Sequence, residues 1–372
     1  MHHRLSHDLK TYQLPDIFSF RVDSADENQE LIVSRLIDYH FYMKSECERK
    51  NVPKIMGMWA DFSQIFVDFG TVLESRNVQK VSEILLNVCT TPLVSGFSSY
   101  HSFAAITQDL RSRMFESYLT IDRMLSLAES VGAAYPQCPY QGRWGYHDLD
   151  ATALVNRIKL RIPFDITPPK AGGGAFGMQT SDGIISISDI LAIYVANRAN
   201  SILSDCAQKT ICEIGGGSGT LACYLARTCA ETIMIADLPI VSVIQGYYLM
   251  KSVGLKSVNL SGESATPEHK IRLIPYWELD DIPSKSVSLF INTDSMPEID
   301  HDIAEHYIGL IKDKASNAFL SINQETQADN HGVVQDLVEK AGGFRRVYRF
   351  PHWMLLGYVE ELYKIADITL RF

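Results

Sequence analysis

The stretch that decides the fold is TICEIGGGSGT, which spans Thr210–Thr220. Its apolar beginning predicts a short buried strand, and its glycines predict a tight turn that leads into a helix. The free N–H groups of such a helix suit an anionic or polar ligand. Glycine is needed because side chains would block the close backbone approach of a nucleotide. A second strand over 232–236 ends in Asp237, a carboxylate placed to accept hydrogen bonds from ribose hydroxyls.

Two nucleotide interpretations compete at this turn. The segment GSGTLA at 217–222 fits the G-x-G-x-x-A pattern of dinucleotide-binding folds. The same region also fits E-x-G-x-G-x-G, with Glu213 at the strand tip before Gly215, Gly217 and Gly219. An acid there would repel a pyrophosphate, whereas S-adenosylmethionine has no phosphate and carries a cationic sulfonium and ammonium. The electrostatics favour S-adenosylmethionine as the cofactor, and the remaining alternative is a tight turn that binds no ligand.

The motifs EIGGGSG and IADLP resemble those of class I S-adenosylmethionine-dependent methyltransferases. Together with LIPYWEL at 273–279 and NTDSMPEID at 292–300, they are most similar to the bacterial sugar O-methyltransferase family. The GGGSG and DLP pair is also shared with plant and bacterial small-molecule O-methyltransferases. The class-level resemblance covers about residues 188–364 and implies an α/β fold with a Rossmann-like class I methyltransferase sheet.

The composition of the chain restricts its partners. Its 372 residues suffice for two packed units, and 46% hydrophobic residues support a substantial core. A net charge of −10 is poorly suited to a phosphate backbone, so we expect no nucleic-acid partner. Seven cysteines without a CxxC pair suit reduced thiols. With neither a membrane-spanning apolar run nor an apolar signal core, we expect a cytoplasmic protein that does not bind membranes.

The periodicity of apolar residues predicts two domains. Helical patterns fill the first part of the chain, and no strand-like alternation appears before about residue 180. We predict a helical N-terminal domain over 1–160, a Gly/Pro-rich loop or lid over 161–187, and a cofactor-binding domain over 188–372. In related methyltransferases such a helical domain covers the active site and often dimerises, so the resemblance implies a homodimer.

Ligands of open α/β sheets bind beyond the carboxyl ends of the strands. The residues assigned to the cofactor are Glu213, Gly215, Gly217, Gly219, Asp237, Leu238, Tyr276, Trp277 and Asn292. Trp277 would lie on the adenine, or alternatively at a domain seam. Asn292 would face the cleft and hold the cofactor's ammonium or the acceptor.

Methyl transfer to a hydroxyl needs an acceptor oxygen held in line with the methyl group and a base that removes its proton. The candidates follow the strand over 287–293, with Asp294 as the base, His301 assisting and Glu298 in the same cluster. In the plant-type relatives a His-Asp pair stands at this tip with His as the base, whereas here the pair is Thr293-Asp294. The competing explanations are that Asp294 offsets the sulfonium charge and that these carboxylates cap a helix.

The acceptor would be held by polar residues after the fifth strand and by an aromatic loop. We assign it Gln324, Glu325 and His331, together with Trp144 in the aromatic loop over 133–150, which is alternatively an interdomain plug. Asp294, Glu298, His301 or Glu325 could bind a divalent metal, but no compact H-x-x-x-H or D-x-D pattern is present, so we assign no metal ligands.

The sequence therefore predicts an S-adenosylmethionine-dependent O-methyltransferase of a small hydroxylated molecule, either a sugar or a sugar-containing metabolite. One alternative is methylation of an aromatic or polyketide-like natural product on O, N or C. The other is a non-catalytic protein that binds S-adenosylmethionine.

Overall fold

The computed structural model describes residues 17–52, 63–96, 109–135, 151–325 and 333–366. Its helices are α1 (Gln29–Lys50), α2 (Ser63–Glu74), α3 (Val78–Leu86), α4 (Leu110–Ser130), α5 (Ala151–Lys159), α6 (Ile187–Leu203), α7 (Thr220–Leu225), α8 (Pro239–Val253), α9 (His301–Lys314) and α10 (Val334–Ala341). Its strands are β1 (Phe18–Phe20), β2 (Phe176–Thr180), β3 (Gly183–Ser186), β4 (Thr210–Ile214), β5 (Thr232–Asp237), β6 (Val258–Leu260), β7 (Ile271–Pro275), β8 (Val287–Thr293), β9 (Ala315–Gln324), β10 (Phe344–Pro351) and β11 (Tyr358–Ile365).

Eight strands form the main sheet in the order β10-β11-β9-β8-β4-β5-β7-β6. The strands from β9 to β6 in this order run parallel, whereas β11 is antiparallel to both β9 and β10. The central strand β8 is almost wholly buried, as a strand covered on both faces should be. The order of the chain reverses beside β4, which lies between β5 and β8. Such a switch point is where open α/β sheets bind their ligands.

The antiparallel strands β10 and β11 at the end of the chain are joined by residues 352–357. His352 shapes this connection, because its backbone N–H donates to the carbonyl of Tyr358 at 2.9 Å and its Nδ1 accepts the N–H groups of Met354 and Leu355. These bonds hold residues 352–357 as a connection that lies against the cavity described below.

The predicted loop over 161–187 is wrong in its second half, which forms the hairpin β2–β3. β1 adds to the hairpin through the pair Phe18 and Met178, which makes a separate three-stranded antiparallel sheet. The glycines in and before β2 interrupt the apolar pattern, so this strand was not recognised from the sequence. Gly177 is required by packing, since a Cβ there would lie 2.2 Å from the carbonyl oxygen of Ile185.

A buried ion pair joins this small sheet to the main domain. The Nη2 atom of Arg21 donates to Asp189 Oδ2 at 2.5 Å and to the carbonyl oxygen of Ile184 at 2.7 Å. Asp189 is fully buried, and its carboxylate also accepts the N–H of Ser186 at 2.8 Å and the hydroxyl of Tyr224 at 3.1 Å. Ser186 and Asp189 form the capping box of α6, the helix that leads into β4. Arg21 is therefore fixed against the N-terminus of the helix that precedes the glycine turn.

The N-terminal helices share one hydrophobic core with the sheet domain. Helix α1 packs on α8, where a Cβ on Gly246 would lie 2.7 Å from Leu36 Cδ2. Arg35 of α1 donates to the carbonyl of Val258 at 2.6 Å and to Glu263 at 2.5 Å. Helix α4 packs on α6, which places one face of α4 at the ligand end of the sheet. Among the described residues, no helix has the length and apolar character needed to cross a membrane.

Candidate functional site

A cavity of about 1160 Å³ lies at the carboxyl ends of β4, β5 and β8. Its cofactor end, as we name it, is formed by Glu213, the glycine turn, Asp237 and the aromatic pair after β7. Its acceptor end is formed by the tip of β8, one face of α4 and the connection between β10 and β11. The sheet thus places the two groups of predicted residues along one continuous space.

The glycine turn has a backbone that other residues would strain. Gly215, Gly217 and Gly219 have φ angles of 70°, 55° and 83°. A Cβ on Gly215 would lie 2.2 Å from Ser295 Oγ, and one on Gly216 would lie 2.5 Å from Ile235 Cγ2. Gly215 and Gly217 line the cavity, whereas Gly219, also predicted to contact the cofactor, lies outside the lining and begins α7. Gly219 therefore shapes the turn.

Glu213 is the most unusual side chain at the cofactor end. It lines the cavity but is only 4% exposed, and its Oε2 atom has no hydrogen-bond partner in the described part of the chain. Burial, helped by the charge of Asp237, raises the pKa of this carboxyl group to about 8. A buried carboxylate without a donor needs a ligand that supplies a positive charge or an N–H group.

Asp237 is held by the turn that it faces. Its carboxylate accepts the N–H of Leu238 and the side-chain amide of Gln245, each at 2.7 Å. Burial raises the pKa of Asp237 to about 6. The two hydrogen bonds just named, and those from the N–H groups of Gly216 and Gly217, lower this pKa and so oppose the effect of burial. Asp237 and Leu238 both line the cavity, as predicted.

The structure places Tyr276 and Trp277, but not Asn292, in the wall of the cavity. Tyr276 and Trp277 line the cofactor end and meet edge to face, with ring centroids 5.0 Å apart. Asn292 was predicted to face the cleft, but it is fully buried and does not line the cavity. Its Nδ2 donates to the carbonyl of Ile214 at 2.9 Å and to Ser295 Oγ at 2.6 Å. Asn292 therefore joins the tips of β4 and β8.

The cofactor end fits S-adenosylmethionine better than a dinucleotide. Two carboxylates, the buried Glu213 and the half-buried Asp237, face this space, and no lysine or arginine of the described residues accompanies them there. A pyrophosphate would meet both negative charges, whereas an ammonium would provide the missing partner of Glu213 Oε2. Hydroxyl donors suit Asp237, since an ionised carboxylate accepts hydrogen bonds and donates none.

Asp294 begins the acceptor end, directly after β8. Its φ angle of 66° is left-handed, and its N–H donates to the carbonyl of Ile322 at 2.9 Å. Its Oδ1 atom accepts the hydroxyl of Tyr358 at 2.5 Å. Burial raises the pKa of Asp294, opposed by the Tyr358 hydrogen bond and the charge of Arg123. A partly desolvated carboxylate held in this way is suited to accept a proton.

Glu298 lines the cavity near Asp294, in the short 3₁₀ turn Met296–Glu298. Burial and then the negative charge of Asp294 raise the pKa of Glu298 to about 7. Both influences favour the neutral acid, and no cation of the described residues opposes them. The predicted cluster therefore contains two neighbouring carboxyl groups with raised pKa values, of which only that of Asp294 is lowered in turn by Arg123.

The structure adds three residues that sequence reasoning missed. Arg123 on α4 lines the cavity with Tyr358 and His352, and its charge acts on Asp294. Burial lowers the pKa of Arg123, and its Nε atom has no hydrogen-bond partner within the described ranges. His352 is buried, and burial and then the charge of Arg123 lower its pKa to about 4. Because its Nδ1 accepts two backbone N–H groups, its proton lies on Nε2.

For Arg123, the available signal in the sequence was the helical spacing of α4. Phe115, Glu116, Leu119, Asp122 and Arg123 lie on one face of that helix and all line the cavity. The spacing predicts a shared face, but it does not say which strand tip that face meets.

Several predicted residues lie away from the cavity. His301 has a side chain that is 55% exposed, with its Nδ1 atom 3.6 Å from Glu305 Oε1, so the structure does not support a catalytic role for it. Glu325 forms a bidentate pair with Arg349 at 2.6 and 2.7 Å, outside the lining. Gln324 ends β9 and does not line the cavity either. His331 and Trp144 lie outside the described residues.

The alternative of a metal site finds no support in the described ranges. No group of three or more histidine, cysteine, aspartate or glutamate side chains in those ranges could hold a metal ion. Of its four candidate ligands, only Asp294 and Glu298 line the cavity.

No protein-family model matches the sequence, and no curated protein matches it. Solved structures with a similar fold include the [4+2]-cyclase SpnF, with 11% identity over 46% of this chain and 80% of that chain and a TM-score of 0.36. Another is the mitomycin 7-O-methyltransferase MmcR, with 14% identity over 48% of this chain and 57% of that chain and a TM-score of 0.35. A third is magnesium protoporphyrin IX methyltransferase from Synechocystis PCC 6803 with bound S-adenosylmethionine, with 14% identity over 50% and 87% and a TM-score of 0.35.

The main sheet, with its parallel centre and antiparallel end, is the predicted Rossmann-like class I methyltransferase sheet, so the fold class is confirmed. The narrower resemblance to sugar O-methyltransferases has no matching family model and stays a prediction. One fold can host many unrelated reactions, so the fold alone does not specify the reaction. The reaction is inferred from the site residues.

Proposed function

We propose that the chain is an S-adenosylmethionine-dependent methyltransferase that methylates a hydroxyl group of a small molecule. The observation that carries this proposal is the buried Oε2 atom of Glu213, which no described residue hydrogen-bonds, beside the glycine turn in a cavity whose other end holds Asp294. When bound, S-adenosylmethionine supplies an activated methyl group. Glu213 and the glycine turn would hold its methionine part, Asp237 its ribose, and Tyr276 and Trp277 its adenine.

Asp294 acts in this proposal as the general base. Tyr358 donates to its Oδ1 atom at 2.5 Å, which fixes the carboxylate and leaves the second oxygen to accept the proton of the acceptor hydroxyl. The charge of Arg123 opposes the effect of burial and helps to keep Asp294 ionised. Burial also raises the pKa of Tyr358, so its phenol stays protonated and continues to donate.

The lining of the acceptor end bears on the kind of acceptor. Phe115, Leu119, Trp353 and Leu356 border it, which favours an acceptor with an apolar or aromatic body. A sugar-containing natural product satisfies both this lining and the sequence resemblance. A free sugar has little apolar surface to bury there.

Binding and turnover assays test the proposal separately. Calorimetry should show binding of S-adenosylhomocysteine and no binding of NAD. Incubation with S-adenosylmethionine and a panel of phenolic, polyketide and glycosylated acceptors should then produce S-adenosylhomocysteine. Binding of NAD alone would overturn the cofactor assignment. Cofactor binding without turnover of any acceptor would favour the non-catalytic alternative.

A further inference from the structure

The mouth of the acceptor end exposes more apolar surface than a sealed cavity wall would. Phe115 is 50% exposed, Trp353 49% and Leu356 74%, although all three line the cavity. They come from α4 and from the connection between β10 and β11, so their proximity is a product of the fold. Exposed apolar side chains that cluster at a cavity are typical of ligand contact.

The walls behind this apolar mouth are strongly acidic. The carboxylates of α4 and of the segment after β8 that line the acceptor end include Glu116, Asp122, Asp294 and Glu298. Arg123 is the only lysine or arginine of the described residues that lines the cavity. Its neighbours include Glu116, Asp122 and Asp294, whose negative charges all act on its guanidinium. Among the residues that the structure describes, these acids outnumber the single base, so the charge that they contribute to the acceptor end is net negative.

Glu298 lines the cavity beside Asp294, and no lysine or arginine in the described part of the chain acts on its charge. Its pKa is raised by burial and then by the charge of Asp294. Ionising Glu298 beside Asp294 places two negative charges in one partly buried space. A cation from outside the chain would relieve both the repulsion and the desolvation.

We propose that the acceptor carries a protonated amine on an apolar body, and that the ammonium pairs with Glu298 while Asp294 faces the reacting hydroxyl. This inference rests on the proposed function and specifies the class of acceptor. An anionic acceptor would meet the carboxylates of Asp294 and Glu298, and a neutral one would offer Glu298 no opposite charge.

Three phenols that differ only in charge test this inference. The protein is first saturated with S-adenosylhomocysteine, whose own binding curve reports on the proposed function. It is then titrated by calorimetry at about pH 8, above the pKa of about 7 for Glu298, with tyramine, 4-propylphenol or 3-(4-hydroxyphenyl)propionate. We expect tyramine to bind at least about tenfold more tightly than 4-propylphenol, and the propionate to bind most weakly.

Two variants locate the effect. Glu298→Gln should reduce the affinity for tyramine to that for 4-propylphenol while leaving S-adenosylhomocysteine binding unchanged. Glu305→Gln removes a carboxylate that lies outside the cavity, so it should preserve the preference. Equal affinities for the three phenols, tighter binding of the propionate, or no binding of tyramine at about 10 mM would overturn the inference. Failure of S-adenosylhomocysteine to bind would instead overturn the proposed function.

Discussion

The two ends of the cavity are built in different ways. The cofactor end is formed by short consecutive segments, in which the glycine turn follows Glu213 directly and Leu238 follows Asp237. The acceptor end brings together side chains from α4, from the tip of β8 and from the connection before β11. Its central contact joins Tyr358 to Asp294, which are 64 positions apart in the sequence. A change of acceptor therefore requires changes in loops and in α4, whereas the cofactor end depends on a local backbone conformation.

The largest expected effect is at the acceptor end. Asp294→Asn should lower kcat by roughly 10²- to 10⁴-fold, because the amide cannot accept the hydroxyl proton. The affinity for S-adenosylmethionine should stay nearly unchanged, since Asp294 lies at the other end of the cavity. Steady-state kinetics with an acceptor from the panel, together with calorimetry, separates the two quantities. If only the affinity falls, Asp294 is a charge partner of the cofactor and the base lies elsewhere.

The next effect is at the cofactor end. Gly215→Ala should weaken S-adenosylhomocysteine binding by about 10- to 100-fold, because the left-handed backbone is strained and the new Cβ would lie 2.2 Å from Ser295 Oγ. Gly309→Ala is the matched control in helix α9, where a Cβ meets nothing within 4 Å. That control should bind normally and raise the free energy of unfolding by about 0.5–1 kcal/mol. Equal behaviour of the two variants would contradict a rigid turn.

A third prediction concerns pH. Between the ordinary pKa of 4.5 and about 8, folded Glu213 retains a proton that the unfolded chain has lost. The free energy of unfolding of the cofactor-free protein should therefore fall as the pH rises through this window. An ammonium ligand needs the ionised form, so the affinity for S-adenosylhomocysteine should rise over the same window, approaching about tenfold per pH unit.

Glu298 titrates in the same window, with a pKa of about 7, so the comparison requires a Glu213→Gln variant. Denaturant unfolding and calorimetry between about pH 6.5 and 8 measure both quantities, above the pKa of about 6 for Asp237. The slope that differs between wild type and Glu213→Gln belongs to Glu213. Identical slopes would show that its proton is not linked to cofactor binding.

The smallest expected effect concerns His301, which the structure places outside the cavity. His301→Ala should change kcat by less than about twofold, because its side chain is largely exposed and contacts Glu305 outside the cavity. The activity of His301→Ala is measured in parallel with that of Asp294→Asn, which shows how large the loss of a catalytic group is. A loss of more than about tenfold would mean that the N-terminus of α9 moves toward the acceptor during turnover.

The difference between the two ends also explains what the sequence could predict. Glu213, Gly215 and Asp237 are recognisable because a strand, a glycine turn and a second strand tip encode their positions locally. Asp294 and Glu298 were predicted because they follow a strand with the apolar residues Val287, Leu289, Phe290 and Ile291. Arg123 and His352 were missed because only tertiary packing brings α4 and the β10–β11 connection to the tip of β8. Asn292 was misassigned because its position at a strand tip does not reveal that it bonds to the neighbouring strand.

The ion pair between Arg21 and Asp189 sets an order of events during synthesis on the ribosome. The two residues are 168 positions apart, so at about 5–20 residues per second Asp189 is synthesised roughly 8 to 34 s after Arg21. A similar interval separates the synthesis of β1 from that of β2. A fragment that starts at α6 would bury Asp189 without its guanidinium. The first described residues thus complete the fold only after the helix that leads to the glycine turn has been made.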